Sequence, residues 1–542
     1  MDIVIFVIWL ITYLVGAVWY ILYLMHMFQQ NSYKPREYRE WMGVHTNVGR
    51  LLGKCLYAII SLPLVLVGST GCMIAACVMN GMTILVNKPH KAKKPLVYTK
   101  RVRRMLLTMG ILYLLAVAVV LLPGLIAGLG NHVVVIQNAG ILPLHPLMRN
   151  VCMVLLAMFI LQPFLILLVN LINHPIEKGI DQYYINDAAR LLREMPNLKV
   201  IGVTGSYGKT SVKYFLNTLL SAQYNVLYTP GNFNTTLGVV RTIRENMKPF
   251  HEIFICEMGA REVGDIKEIC DLVHPDYGII TSIGPQHLQS FHTIENIIST
   301  KFELADAVPE TGKVFLNYDN SYIREHKIEK PVLSYGTTEE NVPFRAYDIE
   351  VSARGSSFKM RDENGAVHAF HTKLVGSHNV QNIAGAIAVA HTLGIPMEKL
   401  IYPVKQLESV PHRLQLVKQG DRIILDDAYN SNKNGFEAAL DTLAMFKELR
   451  ILMTPGMVEL GEKQYDENKE VGVYAADKCD YAVLVGKEQT RPIQDGLLEA
   501  GFPQRKMILV DTLQEAFQMV NAIPNERQKV ILIENDLPDN YV

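Results

Sequence analysis

Residues 199–211 read KVIGVTGSYGKTS. A β-branched apolar run leads into a loop with two glycines, and Lys209, Thr210 and Ser211 then open a helical pattern. Strand, glycine loop and helix N-terminus in that order are what a nucleoside triphosphate site requires. Backbone N–H groups around Gly205, Ser206 and Gly208 can face phosphate oxygens. Lys209 can reach the terminal phosphates, and the Thr210 hydroxyl can hold a magnesium ion. The run departs from the strict G-x-x-x-x-G-K-[ST] form, since Val203 stands at the first glycine position. A glycine-rich turn ahead of an ordinary helix is the plainer reading of the same residues.

Three later stretches carry polar residues that such a loop could use. TPGNFNTTLG, 229–238, follows a short strand at 225–228 and exposes Asn232, Asn234 and Thr235. Open parallel sheets bind ligands along the edge where such a loop would lie. EIFICE, 252–257, has a buried-strand pattern that ends on Glu257, where a second magnesium ligand belongs. YGIITSI, 277–283, is another strand and runs on to His287, which can bind a metal, pair with phosphate or be structural. Lys301 follows in the helical stretch ISTKFELADAV, where a lysine is most simply a solvated helix residue.

These residues must be positioned by a chain that changes character along its length. Lys plus Arg and Asp plus Glu both number 52 in 542 residues, so net charge favours no particular partner and gives no reason to expect nucleic acid. A hydrophobic share of 49% is high for a soluble chain, and the excess lies in the first third. Residues 3–25 form an apolar run with no basic leader and no small-residue cleavage site, which reads as a retained membrane span. Residues 105–129 and 149–172 are of spanning length too. KPHKAKKPLVYTKRVRR, 88–104, is basic without an acid and belongs in the cytoplasm, whereas 131–148 has no charged residue and belongs outside. Residues 55–86, broken by Gly68-Ser69-Thr70-Gly71, read as a hairpin of two short helices. That gives five segments with the N-terminus outside, and one long tilted helix, giving four, is the alternative. The seven cysteines show neither metal-ligand spacing nor a disulfide framework.

The fold class expected is an α-helical membrane module followed by α/β. The divisions are a transmembrane module at 1–174, an amphipathic connecting helix at 175–197, a central ATP-binding domain at 198–410 and a C-terminal domain at 411–542. The central domain is a parallel sheet containing the phosphate loop. It carries a small hairpin from 349–359 and 367–374 and an alanine-rich helix at 379–393. The C-terminal domain is Rossmann-like, with buried strands at 423–425, 450–453, 481–485 and 530–533 and helices at 435–446 and 513–521.

Nine stretches in order, GVTGSYGKTS, TPGNFNTTLG, CEMGA, TSIGPQHLQSF, TKFELA, GSHNVQNIAGA, PHRLQ, DDAYNSN and PGMVELG, resemble the Mur ligase family over about residues 198–480. The likeness is greatest to the branch that adds D-alanyl-D-alanine to a muramoyl tripeptide. The resemblance implies that Lys209 binds phosphate, that Thr210 and Glu257 bind magnesium, and that His287 serves a second metal ion. Lys301 sits where the family often has a carbamoylated lysine, whose carbamate helps bind that ion. Asn382 matches an adenine-contacting asparagine. Arg413 resembles an arginine that reaches the ATP phosphates from the C-terminal domain, and Asp427 a ribose-binding aspartate with Tyr429 and Asn430 beside it. ATP and two magnesium ions are the cofactors implied. The reaction implied is carboxylate–amine ligation through an acyl phosphate.

The chain departs from the family where substrates are recognised. Membrane segments stand in place of the domain that binds a uridine-diphosphate sugar. Lys433 replaces a proline and Thr235 an asparagine, and ENDLPDNYV lacks the Lys-Gly-Ser-Arg stretch of the tripeptide ligase. The leading expectation is an ATP-dependent amide ligase in the cytoplasmic membrane, multi-pass, with its catalytic domains in the cytoplasm. Its partners are the bilayer, a carboxylate acceptor, here a cell-wall precursor and in one version a lipid-linked one, and an amino acid or dipeptide amine. The alternatives are a polyglutamate-type polymer-forming ligase and a membrane ATP-binding regulator or transporter without ligation.

Overall fold

The computed structural model describes residues 2–89, 95–130, 146–286, 288–362, 364–429, 431–458, 460–524 and 528–535. The chain divides into two compact units, the change falling between Asp181 and Gln182.

The first unit is helical: α1 (Asp2–Gln30), α2 (Pro35–Gly43), α3 (His45–Val67), α4 (Thr70–Asn87), α5 (Lys100–Gly130) and α6 (Pro146–Arg193), whose residues from Gln182 on fall in the second unit. All but α2 are long and apolar enough to cross a membrane. Residues 55–86 form two helices because Gly68 adopts φ 70° and ends α3, after which the Ser69 hydroxyl accepts from the Cys72 N–H and starts α4. Among apolar surroundings, small residues and polar bonds join the helices. A Cβ on Gly16 would lie 3.2 Å from Thr83 Cγ2, and Asn80 Nδ2 donates to the Trp9 carbonyl at 3.2 Å. The Tyr13 hydroxyl donates to the Leu155 carbonyl at 2.6 Å. The connecting helix expected at 175–197 is not a separate element, since α6 runs unbroken through Pro163 and Pro175. Each proline removes one N–H from the ladder, a loss that a long helix tolerates without ending. The uncharged loop expected at 131–148 lies almost wholly outside the described residues.

Arg104 Nε and Nη2 donate to the two carboxylate oxygens of Glu177 at 2.7 and 2.6 Å, and Glu177 is 7% exposed. Arg104→Leu leaves that carboxylate buried without its guanidinium. The expected cost is about 3–5 kcal/mol, read as a lower midpoint of thermal unfolding in detergent. Arg104→Leu combined with Glu177→Leu should recover most of the loss, and equal damage from both variants would show that the pair is not the cause.

The second unit holds three sheets. β1 (Lys199–Thr204), β2 (Val226–Tyr228), β3 (Ile253–Glu257), β4 (Tyr277–Ile280), β5 (Lys313–Asn317), β6 (Val332–Gly336) and β7 (Phe344–Arg345) form a parallel sheet in the order β2-β3-β1-β4-β5-β6-β7. Both faces are buried, as parallel sheets require. One packs against α7 (Lys209–Leu220) and the helix Ser377–Thr392. The other packs against α8 (Thr236–Asn246), α9 (Asp265–Val273) and the helix Ile294–Ala307. β1 sits between β3 and β4, so the loops leaving their C-terminal ends open a crevice there. In register, Val203 faces Glu257 and Thr204 faces Ile280.

The small hairpin is instead a three-stranded antiparallel sheet of β8 (Tyr347–Ser352), β9 (Gly355–Arg361) and β10 (Val367–Thr372). The stretch expected as one strand, 349–359, folds back at Ala353-Arg354. Gly355, at φ 131°, comes so close to the Thr372 carbonyl that a Cβ there would lie 2.1 Å from it. The third sheet contains β11 (Gln415–Gln419), β12 (Arg422–Asp427), β13 (Leu449–Thr454), β14 (Tyr481–Val485), β15 (Met507–Val510) and β16 (Lys529–Glu534). Their order is β11-β12-β16-β13-β14-β15, with only β11 antiparallel. The four buried strands expected from sequence form its centre, and β11 and β15 are edge strands not anticipated.

Candidate active site

The loop between β1 and α7 turns on two glycines. Gly205 has φ 149°, and a Cβ there would lie 2.1 Å from Thr281 Oγ1. Gly208 has φ 81°, and its Cβ would meet Asn382 Oδ1 at 2.7 Å. A side chain at Gly205 would crowd Thr281 and the Ser282 backbone, and one at Gly208 would displace the Asn382 amide and sit at a left-handed φ, so both positions favour glycine. The Ser206 N–H donates to the Ser282 carbonyl at 2.6 Å, and the Ser206 hydroxyl to the Gly284 carbonyl at 3.1 Å. So anchored, the loop leaves the first-turn N–H groups of α7, Ser211 included, aimed outward as an anion site. Lys209 lies back over the loop, its Nζ donating to the carbonyls of Gly205 at 2.7 Å and Ser206 at 3.0 Å. Burial, opposed by Glu257 and assisted by the Arg413 guanidinium, brings Lys209 down to about 8.

Glu257 is 1% exposed at the tip of β3. Its Oε1 accepts from Thr210 Oγ1 and from Asn234 Nδ2, each at 3.1 Å, and its Oε2 lies 2.8 Å from Lys213 Nζ. Burial pushes this carboxyl up, but the ammonium groups of Lys213 and Lys209 and the Asn234 amide outweigh it and hold it below the usual range. The Thr210 hydroxyl and Glu257 carboxylate are hard oxygen donors on facing elements, a set that fits magnesium.

Lys301, on the helix Ile294–Ala307, is 3% exposed, and its Nζ makes no hydrogen bond among the described residues. Burial and the Lys209 ammonium pull it down to about 7, against Asp265 and Glu303. His287 and Asn430 lie outside the described residues. Asn382 is 9% exposed with its amide against Gly208. Asn232 is exposed, with its carbonyl accepting from the Asn234 N–H at 2.8 Å. Thr235 is exposed as well, and its hydroxyl caps α8 by accepting from the Gly238 N–H at 3.4 Å.

In the third sheet Arg413 stacks on the Tyr429 ring, its guanidinium carbon 4.2 Å from the centroid. Asp427, which faces Glu534 in register, accepts from the Leu414 N–H at 3.0 Å. Burial lifts Asp427 to about 6 against the pull of Arg413. Glu534 is lifted too, by burial first and by the Asp427 charge.

Two residues of this region were not singled out in the sequence. Lys213 is wholly buried, and its signal was a lysine among Val212, Phe215 and Leu216 on the apolar face of α7. Asp319, after β5, organises the far side of the crevice. Its carboxylate accepts from the N–H groups of Thr337, Thr338 and Glu339 at 2.6, 2.9 and 3.0 Å, and from Gln381 Nε2, beside Asn382, at 2.7 Å. Those bonds overcome burial and hold the carboxyl down to about 2. A depressed carboxylate stabilises the fold above its unfolded pKa of about 3.9, and that contribution is lost as pH falls through the folded value. Denaturant midpoints should therefore drop between pH 4 and pH 2 by the equivalent of about 1–2 kcal/mol, after solvent screening. Asp319→Asn should remove that part of the slope, and an unchanged slope would show that the acid sensitivity lies elsewhere.

Residues 203–390 match the family description "Mur ligase middle domain" and residues 412–533 "Mur ligase, glutamate ligase domain". The UDP-N-acetylmuramoyl-tripeptide–D-alanyl-D-alanine ligase of Escherichia coli (strain K12) is 28% identical over 330 residues, which is 59% of this chain and 73% of that protein. The ligase of the same name from Bacillus subtilis (strain 168) is 32% identical over 293 residues, or 53% of this chain and 63% of the relative. Among solved structures, MurF from Acinetobacter baumannii superposes with a TM-score of 0.60 at 26% identity, over 66% of this chain and 77% of its own. MurF ligase from Thermotoga maritima in complex with ADP, at 24% identity and a TM-score of 0.59 over 66% of this chain and 80% of its own, shares the fold. Both domain descriptions match in order over more than half of the chain. The chain belongs to the Mur ligase family, ATP-dependent ligases that form amide bonds.

Proposed function

We propose that this chain is a membrane-anchored ATP-dependent ligase that joins a carboxylate of a peptidoglycan precursor to an amine through an acyl phosphate. The observation that carries the reading is the cluster of Lys209, Thr210 and Glu257 at the end of β1 and β3, with the Thr210 hydroxyl 3.1 Å from Glu257. By the names of its relatives, the substrates are a muramoyl tripeptide and D-alanyl-D-alanine. The five apolar helices support a bilayer anchor and the basic 88–104 stretch a cytoplasmic catalytic side, so the acceptor is proposed to be lipid-linked.

The elements support a division of labour. Residues 1–174 are assigned to the membrane module, 175–197 to the end of α6 and the turn that lead out of it, 198–410 to the ATP-binding domain and 411–542 to the C-terminal domain. Gly205, Ser206, Gly208 and Ser211 offer backbone N–H groups to phosphates, and Lys209 turns from the loop carbonyls to the terminal phosphate. Thr210 and Glu257 hold one magnesium ion, and His287 with a carbamoylated Lys301 the second. Bound magnesium neutralises the triphosphate oxygens. Asn382 contacts adenine, Asp427 binds ribose beside Tyr429 and Asn430, and Arg413 offers a further positive charge. The loop with Asn232, Asn234 and Thr235 borders the acceptor. Excluding water from this crevice keeps an acyl phosphate from hydrolysing.

Phosphate release by the detergent-purified chain, against a panel of carboxylates and amines with products identified by mass, tests the reading. Release is expected with D-alanyl-D-alanine and a muramoyl tripeptide, more from the lipid-linked form than from the nucleotide-linked form. Release with glutamate alone, giving lengthening products, would favour a polymer-forming ligase. The proposal fails if no acceptor elicits release.

A further inference from the structure

We infer that Lys213 is a positioning residue that turns Glu257 Oε1, the oxygen beside Thr210, toward a cation and locks the 229–235 loop to this carboxylate. The inference deepens the ligase reading and rests on it for the identity of the cation. The contacts stand without it.

An ammonium with no solvent exposure must have partners that replace its hydration. Lys213 has two: Glu257 Oε2 at 2.8 Å and the Gly231 carbonyl at 2.6 Å. It lies four residues after Lys209, one turn further along the same face of α7. Lys209 therefore serves the phosphate loop while Lys213 reaches behind it. With Oε2 held against the Lys213 ammonium, the oxygen that Glu257 turns to a cation is Oε1, which faces Thr210 and accepts from Asn234.

The same ammonium completes a three-point attachment of the loop. Thr229 Oγ1 accepts from the Glu257 N–H at 3.1 Å. Asn234 donates to Glu257 Oε1, and its carbonyl accepts from the Gly259 N–H at 2.7 Å. Lys213 holds the middle at Gly231, where φ is 52°. Among these ties, Asn234 Nδ2 is the one that competes with a cation for Oε1. The Lys213 tie does not compete, so it keeps the loop in place when the Asn234 bond is exchanged. The metal ligand and the proposed acceptor loop thus move as one body.

The test uses the full chain in detergent, with Mn2+ alone as the probe, and compares wild type, Lys213→Met and Lys213→Arg. Mn2+ affinity is read by electron paramagnetic resonance, and amide exchange of residues 229–235 by mass spectrometry. Lys213→Met should weaken Mn2+ binding by about tenfold to a hundredfold. It should also speed exchange at 229–235 while leaving the helix Ser377–Thr392 unchanged. Lys213→Arg, which keeps a charge at Oε2, should restore most of the Mn2+ binding. If Lys213→Met does not fold, Lys213→Met with Glu257→Gln removes the buried pair together, and its loop exchange must still rise. Unchanged loop exchange in either folded variant, or unchanged Mn2+ affinity in Lys213→Met, overturns the inference. Neither readout needs turnover, so a failure to find an acceptor would overturn the ligase proposal alone.

Discussion

Lys301→Met is expected to abolish turnover and to make the protein more stable. The two effects share one cause, a buried primary amine beside Lys209 that makes no hydrogen bond among the described residues. Folded, Lys301 gives up its proton at about 7, whereas the ordinary lysine value is 10.5. Between those values the unfolded chain binds the extra proton, so stability rises with pH across that window and is lowest below 7. Methionine fills a similar volume and removes the proton penalty, which is roughly 4 kcal/mol near neutral pH as an upper bound. The melting point should rise, and its pH dependence between 7 and 10 should flatten. Function moves the other way. A neutral amine adds carbon dioxide and a protonated one does not, so the carbamate proposed at Lys301 should form above pH 7 and be lost below it. Phosphate release should therefore fall on the acid side of 7 and also fall at pH 8 when bicarbonate is stripped. Turnover that survives Lys301→Met would make this residue an ordinary buried lysine.

Lys209→Ala should lower phosphate release by about a thousandfold or more, the scale seen when a group that stabilises transferring phosphate charge is removed. Nucleotide binding should weaken as well, because Lys209 Nζ also ties the Gly205 and Ser206 carbonyls and so shapes the loop. Lys209→Arg should not rescue it, since a planar fork cannot make those two contacts from the same position. Measured ADP affinity together with single-turnover phosphate release separates the loop effect from the charge effect. A loss of less than tenfold in release would remove Lys209 from the chemistry.

Much of this arrangement is readable locally. The strand, glycine loop and helix at 199–220 are signalled by neighbours in sequence, as are the apolar helices and the acid that ends β3. Chain reversals and long-range partners are harder. The two-residue turn at Ala353-Arg354 contains neither glycine nor proline, so β8 and β9 look like one strand. β15 is four residues long, and β11 is a largely exposed edge strand, so neither has a buried pattern to find. Pro175 suggests a boundary, yet a helix bridges one missing donor. Lys213 and Asp319 depend on partners 18 to 62 residues away, which no local pattern contains. Thr235 is the opposite case: a threonine three residues before Gly238, opening an apolar helical run, is a cap signal that sequence alone displays.

The position of β16 has a consequence for how the protein is made. Residues 529–534 lie between β12 and β13 and pair with both. A ribosome that has already delivered β11 to β15 has thus made two half-sheets with nothing to join them. Leu425 and Leu452, which flank Leu532 in register, lack that neighbour until translation passes Glu534. The sheet of this domain is therefore expected to close only after β16 is made, and until then its nascent form has two open strand edges prone to mispairing. A premature stop anywhere before residue 529 would cost the whole C-terminal sheet, Arg413 and Asp427 included, although both are encoded more than a hundred residues earlier.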